Sequence, residues 1–415
     1  MIGIYLIAAS VLCCFVLLVA YLYMRPGDVE LHDRSVDLGS VLPIQAIAEG
    51  MIINGNGELT VGYHLLLPEI FSLTESKAET IHKQLQALCK ELPSGTVIHQ
   101  QSFIYTGRYL DESYSNNALA VENQKYFNTK EILSNYVNIY FTFPEKAGHV
   151  RKSSTSNSLI RKMNYPFKRP YKNLEKRLET LEPVIMNIEN ALSSVSGFAI
   201  KRMDDTELNN AVYDYLNQSY EKPVRDASTE RVNPMSVSNH DEVKIGDQHI
   251  AVLSLTQEGE SVREMCRPAV PQIQSEVEMP ERITSPCSMC YPVGLGLPFD
   301  HIVNCIIEVL DVDQTKAAIS SERRSLNFIS PFYAEAAEAQ LEQKRFEEEV
   351  TKNEWQTTST AFNIILKDSD PKSLMRNISV AQQAFSSMAQ SSCYVENAET
   401  LNLFFSSMPG NAHAN

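Results

Sequence analysis

The sequence has no Gly-Lys dipeptide anywhere in its 415 residues. A P-loop needs glycine-rich backbone amides around the phosphates and a lysine beside a serine or threonine that reaches magnesium. The run Ile306–Asp311 is similar to an apolar strand that ends in a magnesium-binding aspartate. Without a P-loop, we interpret it as a buried strand with a polar end. We therefore expect no ATP hydrolysis by this chain, no catalytic residues and no cofactor.

Cysteines and basic residues are also scarce. Eight cysteines in a chain of this length do not form the dense framework of a small secreted protein, so we expect free thiols in a reducing compartment. The chain carries 36 Lys+Arg against 51 Asp+Glu, which gives a formal net charge of −15. Because nucleic-acid-coating domains are usually basic overall, this balance argues against nucleic acid as a partner.

One Cys-x-x-Cys pair, Cys287 and Cys290, has the spacing of half a zinc site or of a redox motif. A zinc site needs two further ligands, and the nearby donors Cys266, His301 and Cys305 are irregularly spaced. The pair also lies among prolines rather than at the start of a helix. We interpret these cysteines as structural thiols and expect no metal site. A cysteine-dependent redox or metal protein is the least favoured alternative.

The N-terminus is apolar. Residues 2–24 contain no charged side chain, and Arg25 is the first. A span of about 20 apolar residues crosses a bilayer as a helix, because all its backbone groups are satisfied internally. No basic segment precedes the span, which argues against a cleaved signal peptide. The sequence predicts a single-pass anchor in the inner (cytoplasmic) membrane, and Arg25 favours a cytoplasmic location for the bulk of the chain.

The rest of the chain mixes strand and helix patterns. Asn54-Gly55-Asn56-Gly57 is a hairpin-turn signal, because Asn and Gly accept the positive φ of a tight turn. Residues 136–143 alternate in polarity, which is typical of a strand with one buried face. Apolar residues from Ala78 to Leu92 recur at helical spacing. These patterns predict an α+β fold: one N-terminal transmembrane helix followed by a mixed, mainly antiparallel sheet with amphipathic helices.

Four further segments give expectations about single elements. We expect one strand over 41–53, a charged and largely exposed helix over 334–355, a helix over 371–390, and a strand-like segment over 394–405. The sequence shows no convincing internal repeat.

The division of the chain follows from these patterns. We predict a transmembrane anchor (1–25), a connector (26–40), an N-terminal α+β region (41–220), a polar loop (221–248) and a second α+β region (249–415). The last region contains a proline-rich excursion over 259–299, where proline and the lack of periodicity argue against regular elements.

One segment is basic in this acidic protein. Residues 149–172 hold no acidic residue and seven basic ones: Arg151, Lys152, Arg161, Lys162, Lys168, Arg169 and Lys172. Three interpretations remain open. The segment contacts anionic lipid or a partner, at about 1 kcal/mol per basic residue near a membrane surface; it contacts nucleic-acid phosphates; or it is a solvated, serine-rich loop. These seven residues are the candidate lipid or partner contacts.

Four segments together resemble the N-terminal half of the TraG-type conjugative-transposon ATPases, a branch of the type IV secretion ATPases. They are a strand-turn-strand unit, a Lys/Arg-Ser segment, a run before a central strand and a Pro-Gly-Asn loop, at residues 42–73, 143–158, 297–304 and 404–412. The last two read Leu-Pro-Phe-Asp-His-Ile-Val-Asn and Phe-Phe-Ser-Ser-Met-Pro-Gly-Asn-Ala. Each motif is short, and their order over residues 36–412 is what resembles the family.

The resemblance implies a docking and assembly region that holds an ATPase against the inner-membrane complex of a conjugative DNA-transfer apparatus. The implied partners are inner-membrane subunits of that apparatus and a separate or downstream ATPase domain, in an oligomeric assembly. Family members continue into a RecA-like domain that bears both nucleotide motifs, which this sequence lacks. The resemblance therefore implies a fragment, a split gene product or a degenerate relative. A membrane-tethered scaffold unrelated to conjugation is the main alternative.

Overall fold

The computed structural model describes most of the chain between residues 42 and 412. The described residues are 42–55, 57–67, 75–108, 118–128, 130–145, 174–195, 197–220, 232–237, 243–255, 293–294, 296–329, 333–387, 393–397 and 400–412.

The described residues form strands and helices that alternate along the chain. The strands are β1 (Ile44–Ala48), β2 (Met51–Asn54), β3 (Leu59–Leu66), β4 (Val97–Arg108), β5 (Glu131–Phe143), β6 (Ala199–Arg202), β7 (Met235–Val237), β8 (Val243–Ile245), β9 (Gln248–Leu255), β10 (His301–Val309), β11 (Thr358–Asp368) and β12 (Cys393–Val395). The helices are α1 (Glu75–Glu91), α2 (Ala118–Phe127), α3 (Leu174–Ser194), α4 (Asp205–Asn217), α5 (Val312–Ile329), α6 (Ala334–Asn353), α7 (Pro371–Ser387) and α8 (Thr400–Ser406).

The strands join in one sheet with a symmetrical order. The order is β1-β2-β3-β5-β4-β10-β11-β9-β8-β7, with β6 beside β3 and β12 beside β9. When β1 to β6 are matched in turn with β7 to β12, the strand order read from one end of the sheet is the same as the order read from the other end. The sheet therefore has two equivalent halves that meet where β4 pairs with β10. The sequence shows no convincing internal repeat, so this equivalence is visible only in the strand order.

One face of the sheet is apolar and covered by helices. In the first half, Val61 and Phe141 belong to a cluster that also holds Ile188 of α3. In the second half, Ile364 belongs to a cluster that also holds Phe385 of α7. Each square ångström of apolar surface buried in this way contributes about 25 cal/mol. These two clusters are the main apolar core of the part of the chain that the structure describes.

The opposite face is covered by α4 and α8. The α4 helix begins with a capping box, in which the Asp204 carboxylate accepts from Glu207 N (2.8 Å) and the Glu207 carboxylate accepts from Asp204 N (3.2 Å). Gly62 of β3 lets α4 approach closely, because a Cβ there would lie 2.9 Å from Leu208 Cδ2. The α8 helix packs against β9 in the second half.

The predicted fold class is wrong in two respects. Every strand pairing among the described residues is antiparallel, so the sheet is not mixed. No helix within the described ranges is long and apolar enough to span a membrane. The longest of them, α3, α5 and α6, each carry several charged side chains. The anchor predicted over 1–25 lies outside the described residues.

The expectations for single elements have mixed outcomes. The strand expected over 41–53 is wrong, because β1 and β2 form a hairpin whose turn residues Glu49 and Gly50 both have positive φ (58° and 68°). The strand-like segment expected over 394–405 is wrong beyond Val395, because a helix, α8, begins at Thr400. The helices expected over 334–355 and 371–390 are confirmed as α6 and α7.

Candidate functional site

A row of polar residues crosses the sheet on the face that α4 and α8 cover. The strand register places each residue opposite the next one in the series Lys201, His64, Asn138, Gln101, Asn304, Asn363, Ser254 and Tyr394. Residues directly opposite one another on neighbouring strands have Cβ atoms about 5 Å apart and share a face. We call these residues the polar row.

The centre of the polar row is a buried chain of amides. Gln101 Nε2 donates to Asn304 Oδ1 (2.9 Å) across the junction of β4 and β10. Asn304 Nδ2 in turn donates to Asn363 Oδ1 (2.9 Å). All three side chains are buried. Because each amide group has both donors and an acceptor, the chain of hydrogen bonds continues from one half of the sheet into the other.

His99 joins these amides from the same face of β4. Its Nε2 lies 3.1 Å from Asn304 Oδ1, and since that oxygen only accepts, Nε2 carries the proton. Burial lowers the pKa of His99 from 6.5 to about 4, so the ring is neutral at pH 7 and its Nδ1 is an acceptor. Neither Nδ1 nor Gln101 Oε1 has a hydrogen-bond partner within the described part of the chain. Ordered water commonly satisfies such buried atoms.

The amides bind the segment that follows α8. Gln101 Nε2 donates to the carbonyl oxygen of Ser407 (3.0 Å), and Asn363 Nδ2 donates to Ser407 Oγ (3.0 Å). Ser407 is fully buried. One residue of the C-terminal segment is therefore held by β4 of the first half and by β11 of the second half.

Two further contacts fix the same segment to the first half. Asn54 Nδ2, at the end of β2, donates to the carbonyl oxygen of Gly410. The Tyr215 hydroxyl of α4 donates to the carbonyl oxygen of Phe404, and the two rings stack with centroids 5.0 Å apart. The segment Phe404–Ala412 thus lies buried across the junction of the two halves.

A polar cleft of about 470 Å³ lies beside the end of α4. Within it, Lys367 Nζ donates to the carbonyl oxygen of Gln218 (2.8 Å), lies 3.4 Å from Asp300 Oδ2 and lies 3.7 Å from the ring centroid of Tyr220. Thr106 N donates to Asp300 Oδ1 (2.8 Å). The Lys367 ammonium and the Asp300 carboxylate are therefore already bound by groups of the protein. The contacts of Lys367 fix the position of the chain that follows α4.

Cys393 and Asp311 carry groups that can take part in chemistry, and the structure shows the surroundings of each. Within the described ranges, no group of three or more His, Cys, Asp or Glu residues is placed to hold a metal ion. Burial raises the pKa of Cys393 to about 11, so its thiol is protonated and weakly nucleophilic at pH 7. Asp311 Oδ1 accepts from Gln314 N (2.9 Å) at the start of α5. Asp311 therefore follows the end of β10 at Val309, and its carboxylate is engaged at the start of α5.

The α5 and α6 helices form an antiparallel pair with an exposed apolar surface. An ion pair between Arg323 and Glu347 (2.6 Å) joins them. Among the side chains of the pair that the structure describes, Val350 alone is buried. Four large apolar side chains are exposed, and we call them the hairpin surface: Phe328 (80% exposed), Tyr333 (65%), Leu341 (49%) and Phe346 (43%). A patch formed by exposed apolar groups is typical of an interaction site, whereas single exposed groups are common on protein surfaces.

The site residues predicted from the sequence lie elsewhere. All seven candidate lipid or partner contacts lie outside the described residues, namely Arg151, Lys152, Arg161, Lys162, Lys168, Arg169 and Lys172. Cys287 and Cys290 also lie outside them. Arg177 of α3 donates to the carbonyl oxygens of Gly57 and Pro144. Pro144, which precedes the basic segment, and Arg177, which follows it, are therefore in direct contact.

The sequence analysis missed the polar row because its members come from eight separate strands. A local signal exists for three of them. Asn138, Asn304 and Asn363 each stand between two apolar residues in the middle of a strand, as in Val-Asn-Ile, Val-Asn-Cys and Phe-Asn-Ile. Asparagine is depleted in strands, so a buried asparagine in an apolar strand indicates a specific hydrogen-bonding role.

Comparison with known proteins adds one match. A family model described as a domain of unknown function, B. Theta Gene description (DUF3875), matches residues 32–83. The match includes β1 to β3 and the beginning of α1, and it overlaps the strand-turn-strand motif of residues 42–73. No curated protein matches the chain.

Proposed function

We propose that this chain is a non-catalytic docking and assembly region of a conjugative DNA-transfer (type IV secretion) ATPase of the TraG type. The observation that carries the proposal is the hairpin surface, because it leaves four large apolar side chains of one helix pair in water. The order of the four sequence motifs supports the conjugative assignment. The proposed partners are inner-membrane subunits of the transfer apparatus and an ATPase domain, either separate or downstream.

The hairpin surface suits docking for an energetic reason. Helices of this length are marginal in water, and most of their stability in proteins comes from burying an apolar face. The α5–α6 pair leaves Phe328, Tyr333, Leu341 and Phe346 exposed. Covering these side chains with a partner contributes roughly 1.5–3 kcal/mol per large side chain that becomes fully buried. A partner surface that completes this packing would stabilise the pair.

The buried C-terminal segment also suits an assembly role. The motif Pro409-Gly410-Asn411, which resembles the family's loop before the motor domain, lies in the segment that the amides of the polar row bind. Asn411 Nδ2 donates to the carbonyl oxygen of Phe405 (2.8 Å), which fixes the loop onto α8. A domain attached at this point would be held in a defined position relative to the sheet.

Conjugative transfer tests the proposal. In a donor strain that carries this gene on its native element, we expect the double variant Phe328→Ser/Tyr333→Ser to lower transfer frequency at least about tenfold, as expected for loss of apolar anchors in an interface. The matched control is Met375→Ser/Val380→Ser, which removes two exposed apolar side chains from α7. We expect the control to transfer normally and both purified variants to melt near the wild-type temperature.

Two results would contradict the proposal. Normal transfer by the hairpin variant would show that the hairpin surface is not the docking site. Normal transfer after complete deletion of the gene would show that the chain has no role in conjugation, and it would favour a scaffold unrelated to conjugation.

A further inference from the structure

The two halves of the sheet are equivalent strand by strand. Each half begins with two outer strands, β1 and β2 or β7 and β8, which are followed in the sheet by β3 or β9. The two inner strands are β5 and β4 or β11 and β10. A short strand, β6 or β12, pairs with β3 or β9. The first half, residues 42–220, contains β1 to β6, and the second half, residues 232–412, contains β7 to β12 in the same relative positions. In each half a helix, α4 or α8, follows the last strand and covers the same face.

The strand register supports the equivalence at single residues. Gln101 and Asn304, directly opposite each other on β4 and β10, occupy corresponding places. Their next neighbours in the polar row, Asn138 on β5 and Asn363 on β11, are both asparagine. An approximate two-fold axis that passes between Gln101 and Asn304 therefore relates the two sides of the polar row.

The chain after each covering helix contacts the other half. After α4, the carbonyl oxygen of Gln218 accepts from Lys367, and Lys367 lies over the ring of Tyr220; Lys367 belongs to the second half. We call residues 218–220 the first arm. These contacts tie the end of the first half to β11.

The second arm, residues 407–412, contacts the first half. Gln101 of the first half donates to the carbonyl oxygen of Ser407, and Asn54 of the first half donates to that of Gly410. Ala412 packs between Val97 of the first half and Ile306 of the second. Each half therefore extends one arm onto the other.

We propose that the chain is a fused pair of equivalent modules. The central surface of each module is an interaction surface for a second copy of that module, and in this chain the other half takes that place. The surface consists of the inner strand, β4 or β10, the central amides and the receiving site for the arm of the other module. The proposal is independent of conjugation. It requires that the two modules stay together without a covalent connection.

Cleavage of the full chain between the modules tests the proposal. A protease recognition sequence flanked by Gly-Ser spacers is inserted between Asp226 and Ala227, and the folded protein is cut after purification. We expect the two fragments to co-elute at the mass of the uncut chain. We also expect one melting transition, whose temperature rises with protein concentration only after cleavage, because association has become bimolecular.

Matched variants test the two arms. In the cut protein, we expect Lys367→Met, which removes a contact to the first arm, and Gln101→Met, which removes a contact to the second, each to raise the dissociation constant of the fragments by about tenfold or more. Ser236→Ala, on the outer strand β7, is the control and should leave it within about twofold, as for a surface substitution.

Three results would overturn the proposal. They are separation of the fragments with each retaining its own melting transition, aggregation of the protein on cleavage, and a dissociation constant that the arm variants do not change. Failure of these tests leaves the hairpin-surface test of the proposed function unaffected, because that test uses the uncut chain.

Discussion

His99 is buried among uncharged groups, and this has a consequence for stability. Its pKa is lowered to about 4 by burial, while the unfolded chain has an ordinary histidine pKa near 6.5. Between these values the unfolded state binds a proton that the folded state does not. The stability contributed by the neutral ring is therefore fully present above pH 6.5 and is lost as the pH falls towards 4, by roughly 3 kcal/mol in total.

Replacing His99 with glutamine tests this pH dependence. A glutamine Nε2 can still donate to Asn304 Oδ1, but the side chain does not titrate. We expect the loss of unfolding free energy between pH 7 and pH 4.5 to be smaller in His99→Gln than in the wild type, by roughly 2 kcal/mol. Urea unfolding at both pH values measures it. His249→Gln is the control, and an equal loss in all three proteins would contradict the assignment.

Asn304 is the residue on which the central amides converge. Its side chain accepts from Gln101 and His99 and donates to Asn363. Asn304→Leu removes the hydrogen bonds to all three of these side chains. We expect it to lower the free energy of unfolding by roughly 3 kcal/mol. Chemical denaturation measures the change.

An exposed asparagine provides the comparison. Asn353 at the end of α6 is exposed, and Asn353→Leu should change the free energy of unfolding by less than about 0.5 kcal/mol. If the two substitutions had similar small effects, the central amides would not contribute to stability in the way described.

Elements with a strong local signal were predictable from the sequence. The helical spacing of α1 and the polar alternation of β5 are visible in short windows, because the apolar residues of each lie on one face. The single buried face expected for β5 is wrong, because residues 137–143 are buried on both faces of the sheet. The β1–β2 turn was missed because Glu49-Gly50 is a weaker turn signal than the Asn-Gly pairs that follow it. The α8 helix was missed because it is short, and its residues Phe404 and Phe405 also suit a strand.

The α5–α6 pair contributes little to the packing of the rest of the molecule, and its removal tests this. Val309, at the end of β10, is directly opposite Thr358, at the start of β11. A short Gly-Ser turn can therefore replace residues 311–356 without moving either strand. We expect the far-UV circular dichroism spectrum of the shortened protein to retain the signal of the strands. We also expect the protein to melt cooperatively within a few degrees of the wild-type melting temperature.

Either of two outcomes would contradict this expectation. Insolubility of the shortened protein, or a broad and non-cooperative melting transition, would show that the pair is part of the core. The hairpin surface would then be a by-product of folding rather than a surface kept for a partner.

At the scale of the whole molecule, the sequence predicted the class of secondary structure but not the arrangement. The two halves share few residues beyond short matches such as Asn138 and Asn363, because burial requires apolar character at most positions rather than particular side chains. The polar row and the exchanged arms depend on strand order and register between distant segments. Local patterns contain neither, so the approximate two-fold axis appears only in the fold.

The measurement that tests the docking proposal most directly is site-specific cross-linking in donor cells. A photo-reactive amino acid replaces Phe328 in the hairpin surface, and the same amino acid replaces Val237 on the outer strand β7 as the control. The account predicts a covalent adduct from position 328, and not from position 237, with an inner-membrane subunit of the transfer apparatus identified by mass spectrometry. An adduct from position 328 only with proteins outside that apparatus, or no adduct while the variant still supports transfer, would contradict it.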